Sequence, residues 1–299
     1  MQPNSPSCLE TVKIQLVASA QAACLLAPLL AELGNRGVQF RFLGNGTWEL
    51  STCLEQKGFK PARLGRLKHM ANCISSHLGD VRLSWEKQQL SKWPPRAHKR
   101  FFGPFQVTPR LWVGPPGTSV EMGPNQSLLE LETGQAKHCG LEPQCCTSLS
   151  LLDELLSKER IRNALDIKAG TALFSMAAAL WGVEGVLALD QEPHAVRIAR
   201  KNIKRNLLGA RIKVRCAPVW SSGGTYDLVM AVASPKILSR QMPHILRRLG
   251  QDGWLLLGGL RYREVDEFLS SWCAALSLES RKRQLWWESL LLRRRGQIP

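Results

Sequence analysis

Asn163–Pro193, NALDIKAGTALFSMAAALWGVEGVLALDQEP, decides the fold. The apolar run Ala164–Ile167 predicts a strand that ends in a turn containing Gly170. Thr171–Leu180 follows, mostly apolar and free of Pro and Gly, long enough for a buried helix. Val186–Asp190 predicts a second buried strand. Strand, helix and strand within about 30 residues make a right-handed crossover of a parallel sheet, where ligands bind beyond the carboxyl ends of the strands. Asp190 stands at such an end. An acidic residue there, roughly 20 residues past the first turn, is placed to accept hydrogen bonds from a ribose hydroxyl. A surface aspartate capping the next helix is the alternative.

Toward the C-terminus the alternation continues. Glu192–Leu208 predicts a helix begun by Pro193, with Arg197, Arg200, Lys201, Lys204 and Arg205 on a polar face opposite Val196, Ile198, Ala199 and Ile203. Ile212–Cys216 and Tyr226–Ala233 read as strands, Ile237–Leu249 as a helix, Gly253–Leu260 as a strand and Glu264–Leu276 as the last helix. The tail, Leu278–Leu285 and Trp286–Arg293, reads as a closing antiparallel pair.

Toward the N-terminus the pattern is that of a smaller mixed domain, residues 1–90. Val12–Val17 alternates as a strand, Ala20–Leu33 is a helix ended by Gly34, and Val38–Leu43 is a strand. Thr47–Leu50, Ala62–His77 and Val81–Trp85 continue it, with LGNRG and LGNG as turns. Residues 91–118, rich in Pro, Gly, aromatic and basic residues, read as a joint without regular helix. Its Trp93, Arg96, Lys99, Arg100, Phe101, Phe102, Phe105, Arg110 and Trp112 either stack on nucleic-acid bases or pack between domains. The larger domain, 119–299, opens with a short strand at Leu128–Glu132, a loop from Thr133 to Cys146 and a helix at Thr147–Leu156.

Forty Lys and Arg against 24 Asp and Glu give 299 residues a formal charge of +16, which favours anionic partners such as RNA, ribosomal surfaces or acidic proteins. The excess is spread over Lys57–Lys68, Arg96–Arg100, Arg197–Arg205, Arg281–Arg283 and Arg293–Arg295. Nine cysteines without a CxxC pair argue against a disulfide framework and a structural zinc site, and fit a reducing cytoplasm. His138, Cys139, Cys145 and Cys146 lie close in sequence, but adjacent cysteines rarely share one tetrahedral metal site. No metal is expected. Ile14–Leu33 is apolar but interrupted by Gln15, Ser19, Gln21 and Glu32 and lacks a basic leader, so neither a membrane span nor a targeting segment is expected.

This order of elements, with Asp190 closing the second strand and an antiparallel pair at the end, resembles the class I S-adenosylmethionine-dependent methyltransferases. More closely, the chain is similar to the PrmA family, which methylates amino groups of protein eleven of the large ribosomal subunit. VKIQLVASAQAACLLAPLLAELGNRGVQF resembles that family's opening strand, helix and turn, and FGPFQVTPRLWVGPP its interdomain segment. LELETGQAKHCGLEPQCCTSL follows in register the family's loop of pattern LDPGxAFGTGTHPTT, keeping Gly134, Ala136, Gly140 and Pro143. ALDIKAGTALFSMAAALWG stands at the family's D-x-G-x-G-x-G turn and helix, and ALDQEPHAVRIARKNIKRN at its acidic strand end.

The resemblance implies an α/β fold with a Rossmann-like seven-stranded sheet behind a small α+β domain, S-adenosylmethionine as cofactor, and a protein substrate of the ribosome. It implies that Asp190 takes the ribose hydroxyls, that Asp166, Gly170 and Thr171 form the turn beside the methionine moiety, and that Gly140 belongs to the covering loop. It names no catalytic side chain. The chain departs from the pattern nearest the cofactor. Lys168 and Ala172 occupy the outer glycine positions, where glycine allows positive φ and close backbone approach. Lys137 and His138 replace a Phe-Gly pair, Leu141 and Glu142 a Thr-His pair, and Val232 an Asn whose amide orients the methyl-donor end. Lys168 is positioned in sequence to pair with the cofactor's carboxylate. Two other readings stay open: a methyltransferase fold that has lost catalysis and binds ribosomal or nucleic-acid partners, and an RNA methyltransferase, which the absence of an [NDS]PP[YF] motif opposes.

Overall fold

The computed structural model describes residues 9–33, 38–44, 47–56, 61–90, 104–133, 140, 142–284 and 286–295. The chain divides into two compact units, residues 1–105 and 106–299. The first carries β1 (Leu9–Ser19), α1 (Ala20–Leu33), β2 (Gln39–Gly44), β3 (Thr47–Glu55), α2 (Pro61–Leu78) and β4 (Arg82–Leu90). The strands form an antiparallel sheet in the order β2-β3-β1-β4, the topology of a split βαβ unit. Period-two alternation in β1 buries Val12, Ile14, Leu16 and Ala18, each 1% exposed or less.

The second unit opens with β5 (Phe105–Thr108), β6 (Leu111–Gly114) and β7 (Ser127–Glu130), which form a three-stranded sheet in that order. Two strands therefore lie in the segment 91–118 that the sequence reads as a joint. Residues 91–103, which hold Trp93, Arg96, Lys99, Arg100, Phe101 and Phe102, fall outside the described residues. There follow α3 (Pro143–Lys158), β8 (Asn163–Ile167), α4 (Leu173–Leu180), β9 (Gly185–Asp190), α5 (Pro193–Arg205), β10 (Ile212–Cys216), β11 (Tyr226–Val232), α6 (Pro235–Arg248), β12 (Leu249–Arg261), α7 (Val265–Ser270), β13 (Leu276–Gln284) and β14 (Trp287–Arg294). The sheet runs β10-β9-β8-β11-β12-β14-β13, parallel except for β14, which is antiparallel to both neighbours. Strand order reverses between β8 and β11, so the carboxyl ends of β8, β9 and β11 surround a switch point, where such sheets bind ligands.

One face of the sheet is covered by α6: Leu165, Ile167, Val229 and Ala231 share a cluster with Leu238, Met242 and Ile245. Alternation turns Asp166 and Val232 toward the other face. The helix read from Thr171 begins only at Leu173, because Ala172 is left-handed, with φ 65° and ψ 24°. The helix read over Glu264–Leu276 stops at Ser270. There Ser270 and Ser271 donate their hydroxyls to the Glu267 carbonyl, a local alternative to helix continuation. β12 departs from regular register between Leu257 and Leu260. Gly259 sits there with φ +92°, and a Cβ on it would fall 2.3 Å from the Ala233 carbonyl oxygen.

Candidate cofactor site

The turn after β8 doubles back on the end of β9. Lys168, Gly170 and Ala172 all have positive φ, 61°, 58° and 65°. Glycine bears that conformation without steric cost and an L-residue does not, so two of the three positions hold it against their own preference. The anchors are visible. Ala169 N–H donates to the Leu189 carbonyl at 3.0 Å, Gly170 N–H to Asp190 Oδ2 at 3.0 Å, and Ala172 N–H to the Ala169 carbonyl at 2.8 Å. Asp190 Oδ1 accepts from Glu192 N–H at 3.0 Å and from Lys168 Nζ at 3.5 Å. Thus Lys168 reaches the carboxylate expected to meet the ribose.

Behind the turn Asp166 is 2% exposed and accepts from Ser175 N–H at 3.1 Å and Ser175 Oγ at 2.6 Å, tying β8 to the first turn of α4. Burial drives its pKa up to about 7, against the lowering effect of the Ser175 bonds and with a smaller push from the Asp190 charge.

A cleft of about 320 Å³ opens at the carboxyl ends of β8, β9 and β10. Ile167, Leu189, Ala217, Pro218, Val219 and Ile237 supply apolar walls. Asp190, Lys168, Gln191, Arg240, Gln241 and His244 supply polar groups. Trp220 closes the lining and lies 5.3 Å from the His244 ring. Gln241 Oε1 is buried and has no hydrogen-bond partner among the described residues.

Of the six residues singled out from the sequence, Asp190 lines this cleft; Gly170 does not line it but is bonded to Asp190 through its N–H, and Asp166, also off the lining, is bonded to Ser175 of α4. Thr171 is fully buried and its carbonyl accepts from Asn202 Nδ2 at 3.0 Å. Gly140 lies at the start of α3, where its N–H donates to Glu142 Oε2 at 3.1 Å and its carbonyl accepts from Cys146 Sγ. Val232 is 4% exposed and packs on its neighbour Gly258, over whose Cα the Val232 methyls and the Ser148 hydroxyl fill the space. Most of the covering loop, residues 134–139 and 141, falls outside the described residues, His138 and Cys139 with it. Among the described residues no group of three His, Cys, Asp or Glu could hold a metal, and no helix is long and apolar enough to cross a membrane.

Arg240, Gln241 and His244 escaped the sequence reading because a helix reaches the cleft from another part of the chain. Asn202 left a signal. It interrupts the apolar stripe of α5 at a helical spacing from Ala195, Ile198 and Ala199, and a polar residue on a buried stripe requires partners.

The strand order with one antiparallel strand, the crossover and the acidic strand end define a class I methyltransferase fold. A solved ribosomal protein L11 methylase from Lactobacillus delbrueckii subsp. bulgaricus has the same fold, with TM-score 0.60 at 19% identity over 65% of this chain and 100% of that one. The profile described as Ribosomal protein L11 methyltransferase (PrmA) matches residues 47–295, and the chain belongs to that family. The ribosomal protein L11 methyltransferase of Sorangium cellulosum is 30% identical over 256 residues, 82% of this chain and 77% of that protein. The one from Desulfotalea psychrophila is 29% identical over 188 residues, 62% of each chain. With that of Pelobacter propionicus, matched over 65% of its length, these curated relatives are spanned over 62% to 77% of their own lengths.

Proposed function

We propose that the protein transfers a methyl group from S-adenosylmethionine to an amino group of a ribosomal protein, the acceptor class its relatives' names give. The observation that carries this reading is Asp190, at the carboxyl end of β9 beside the switch point, facing a cleft whose apolar walls suit a nucleoside. The residues fit the cofactor. Each Asp190 oxygen has one direction taken by a backbone N–H, which leaves room for the ribose diol once the Lys168 ammonium turns aside. The orphaned Gln241 Oε1 suits a donor such as the adenine amine.

When bound, the cofactor supplies an electrophilic methyl group, so the chain's task is positioning. Asp190 holds the ribose end, the turn Lys168–Ala172, anchored on Leu189 and Asp190, aims its backbone at the amino-acid end, Asp166 ties β8 to α4, and Gly140 belongs to the covering loop. Val232 stands where an amide is common in the family and packs on Gly258 instead. The acceptor amine must arrive neutral, which a desolvated site favours. The site lies in the second unit, and recognition of the acceptor by the small α+β domain of residues 1–90, within the first unit, completes the reading. Contact of the basic surface with ribosomal RNA and a cytoplasmic location belong to it as well.

The Lys168–Asp190 contact favours a second reading, a fold kept for binding after catalysis is lost. Calorimetric titration with S-adenosylmethionine and S-adenosylhomocysteine, followed by labelled-methyl transfer to ribosomal protein L11, separates the two. Micromolar binding with incorporation into the protein supports the enzyme. No heat at millimolar ligand sinks it.

A further inference from the structure

We infer that Asn202 is a positioning residue that locks the cofactor turn to the strand leading into the covering loop; this rests on the cofactor reading of the cleft. β7 pairs through one edge with β6, and no strand lies on its other edge among the described residues. That second edge is satisfied instead by two side chains at the end of α5, Asn202 and the C-cap Asn206. Asn206 Oδ1 accepts from Glu130 N–H at 2.9 Å and its Nδ2 donates to the Glu130 carbonyl at 2.8 Å. Asn202 repeats the arrangement two residues on, just past the end of β7, with Glu132 N–H at 2.8 Å and the Glu132 carbonyl at 3.0 Å.

The spacing explains why two carboxamides can do this. Four residues of helix rise about 6 Å and two residues of strand about 6.6 Å, so an i, i+4 pair of amides matches an i, i+2 pair of peptide groups. Each carboxamide presents one acceptor and one donor to a single residue, as a neighbouring antiparallel strand would.

The two asparagines differ in their second amide proton. Asn206 Nδ2 also donates to the Asn202 carbonyl of its own helix at 2.8 Å. Asn202 Nδ2 also donates to the Thr171 carbonyl at 3.0 Å, in the turn that carries Gly170 and Ala172. Asn202 is fully buried, and one planar group therefore fixes Glu132, one residue before Thr133, relative to Thr171. Left-handed Lys168 and Ala172 flank a turn that needs such outside restraint. Asn206 makes the same strand contact without touching the turn, which supplies a control within one helix.

The test compares Asn202→Asp with Asn206→Asp, each of which keeps an acceptor and loses both amide donors, with Asn202→Ser standing in should the aspartate not fold. Cofactor and product affinity are read by calorimetry, and exchange of the Ala169–Leu173 amides is read without ligand. Asn202→Asp and Asn202→Ser are expected to weaken binding about tenfold or more and to speed exchange in the turn by a similar factor, while Asn206→Asp stays within about threefold on both at a comparable melting temperature. Unchanged affinity and exchange in the Asn202 variants, or equal losses in Asn206→Asp, overturn the inference. A wild-type protein that binds neither ligand while Asn202→Asp still frees the turn overturns the cofactor reading and supports the coupling.

Discussion

Asp166 at the end of β8 and Asp190 at the end of β9 are 2% and 5% exposed, yet their surroundings divide them. Asp166 gives one oxygen to both the amide and the hydroxyl of Ser175 and is held inside, against α4. Asp190 holds the turn through Gly170 and the start of α5 through Glu192 while keeping a side toward the cleft. The same carboxylate becomes an anchor where a helix N-terminus meets it and stays turned toward a cleft where the sheet opens. Three substitutions break or sharpen this contrast.

The largest effect concerns Asp166. Its folded pKa of about 7 lies above the unfolded value of 3.8, so the folded protein holds a proton that the unfolded chain has released between those values. Stability from this group is fully present below about pH 4 and is lost as pH rises through 7, on the order of 4 kcal/mol in all. Other groups titrate in that window in any variant, so the difference between wild type and Asp166→Asn is the readout. The asparagine protein should lack this fall in urea unfolding at pH 4.5 and 7.5. Parallel curves would mean that Asp166 stays charged inside.

Asp190→Ala comes next. Affinity for S-adenosylmethionine should drop about 100-fold or more, while the protein stays folded with a loss of about 1–3 kcal/mol from the two amides left without an acceptor. Unchanged affinity would remove the ribose assignment and leave Asp190 as a second anchor like Asp166.

The smallest effect belongs to Lys168→Gly. Removing the ammonium from Asp190 and giving φ +61° to a glycine should tighten cofactor binding about fivefold and add about 1 kcal/mol of stability. Weaker binding in titration would restore the pairing of Lys168 with the cofactor's carboxylate that the sequence invites.

The second unit's parallel strands and helices were legible because each is a local pattern. Ala164–Ile167 and Val186–Asp190 are apolar runs of strand length, and α5 repeats its apolar stripe at helical spacing. The end of the second run put Asp190 at a strand's carboxyl end, and the parallel crossover made that end a ligand-binding edge. Boundaries failed where side chains compete with the backbone, as at Ser270 and Ser271, and strands β5 and β6 were hidden in a segment whose Pro and Gly content reads as a joint.

By itself the sequence determined the fold class, the crossover and the acidic residue at its end, since those follow from periodicity and from the handedness of L-residues. Only the tertiary structure decided what each polar group does. It set Lys168 on Asp190, kept three left-handed residues in a turn with a single glycine among them, turned Val232 onto Gly258, and brought Arg240, Gln241 and His244 to the cleft. A side chain's partners come from distant parts of the chain, and no local pattern encodes them.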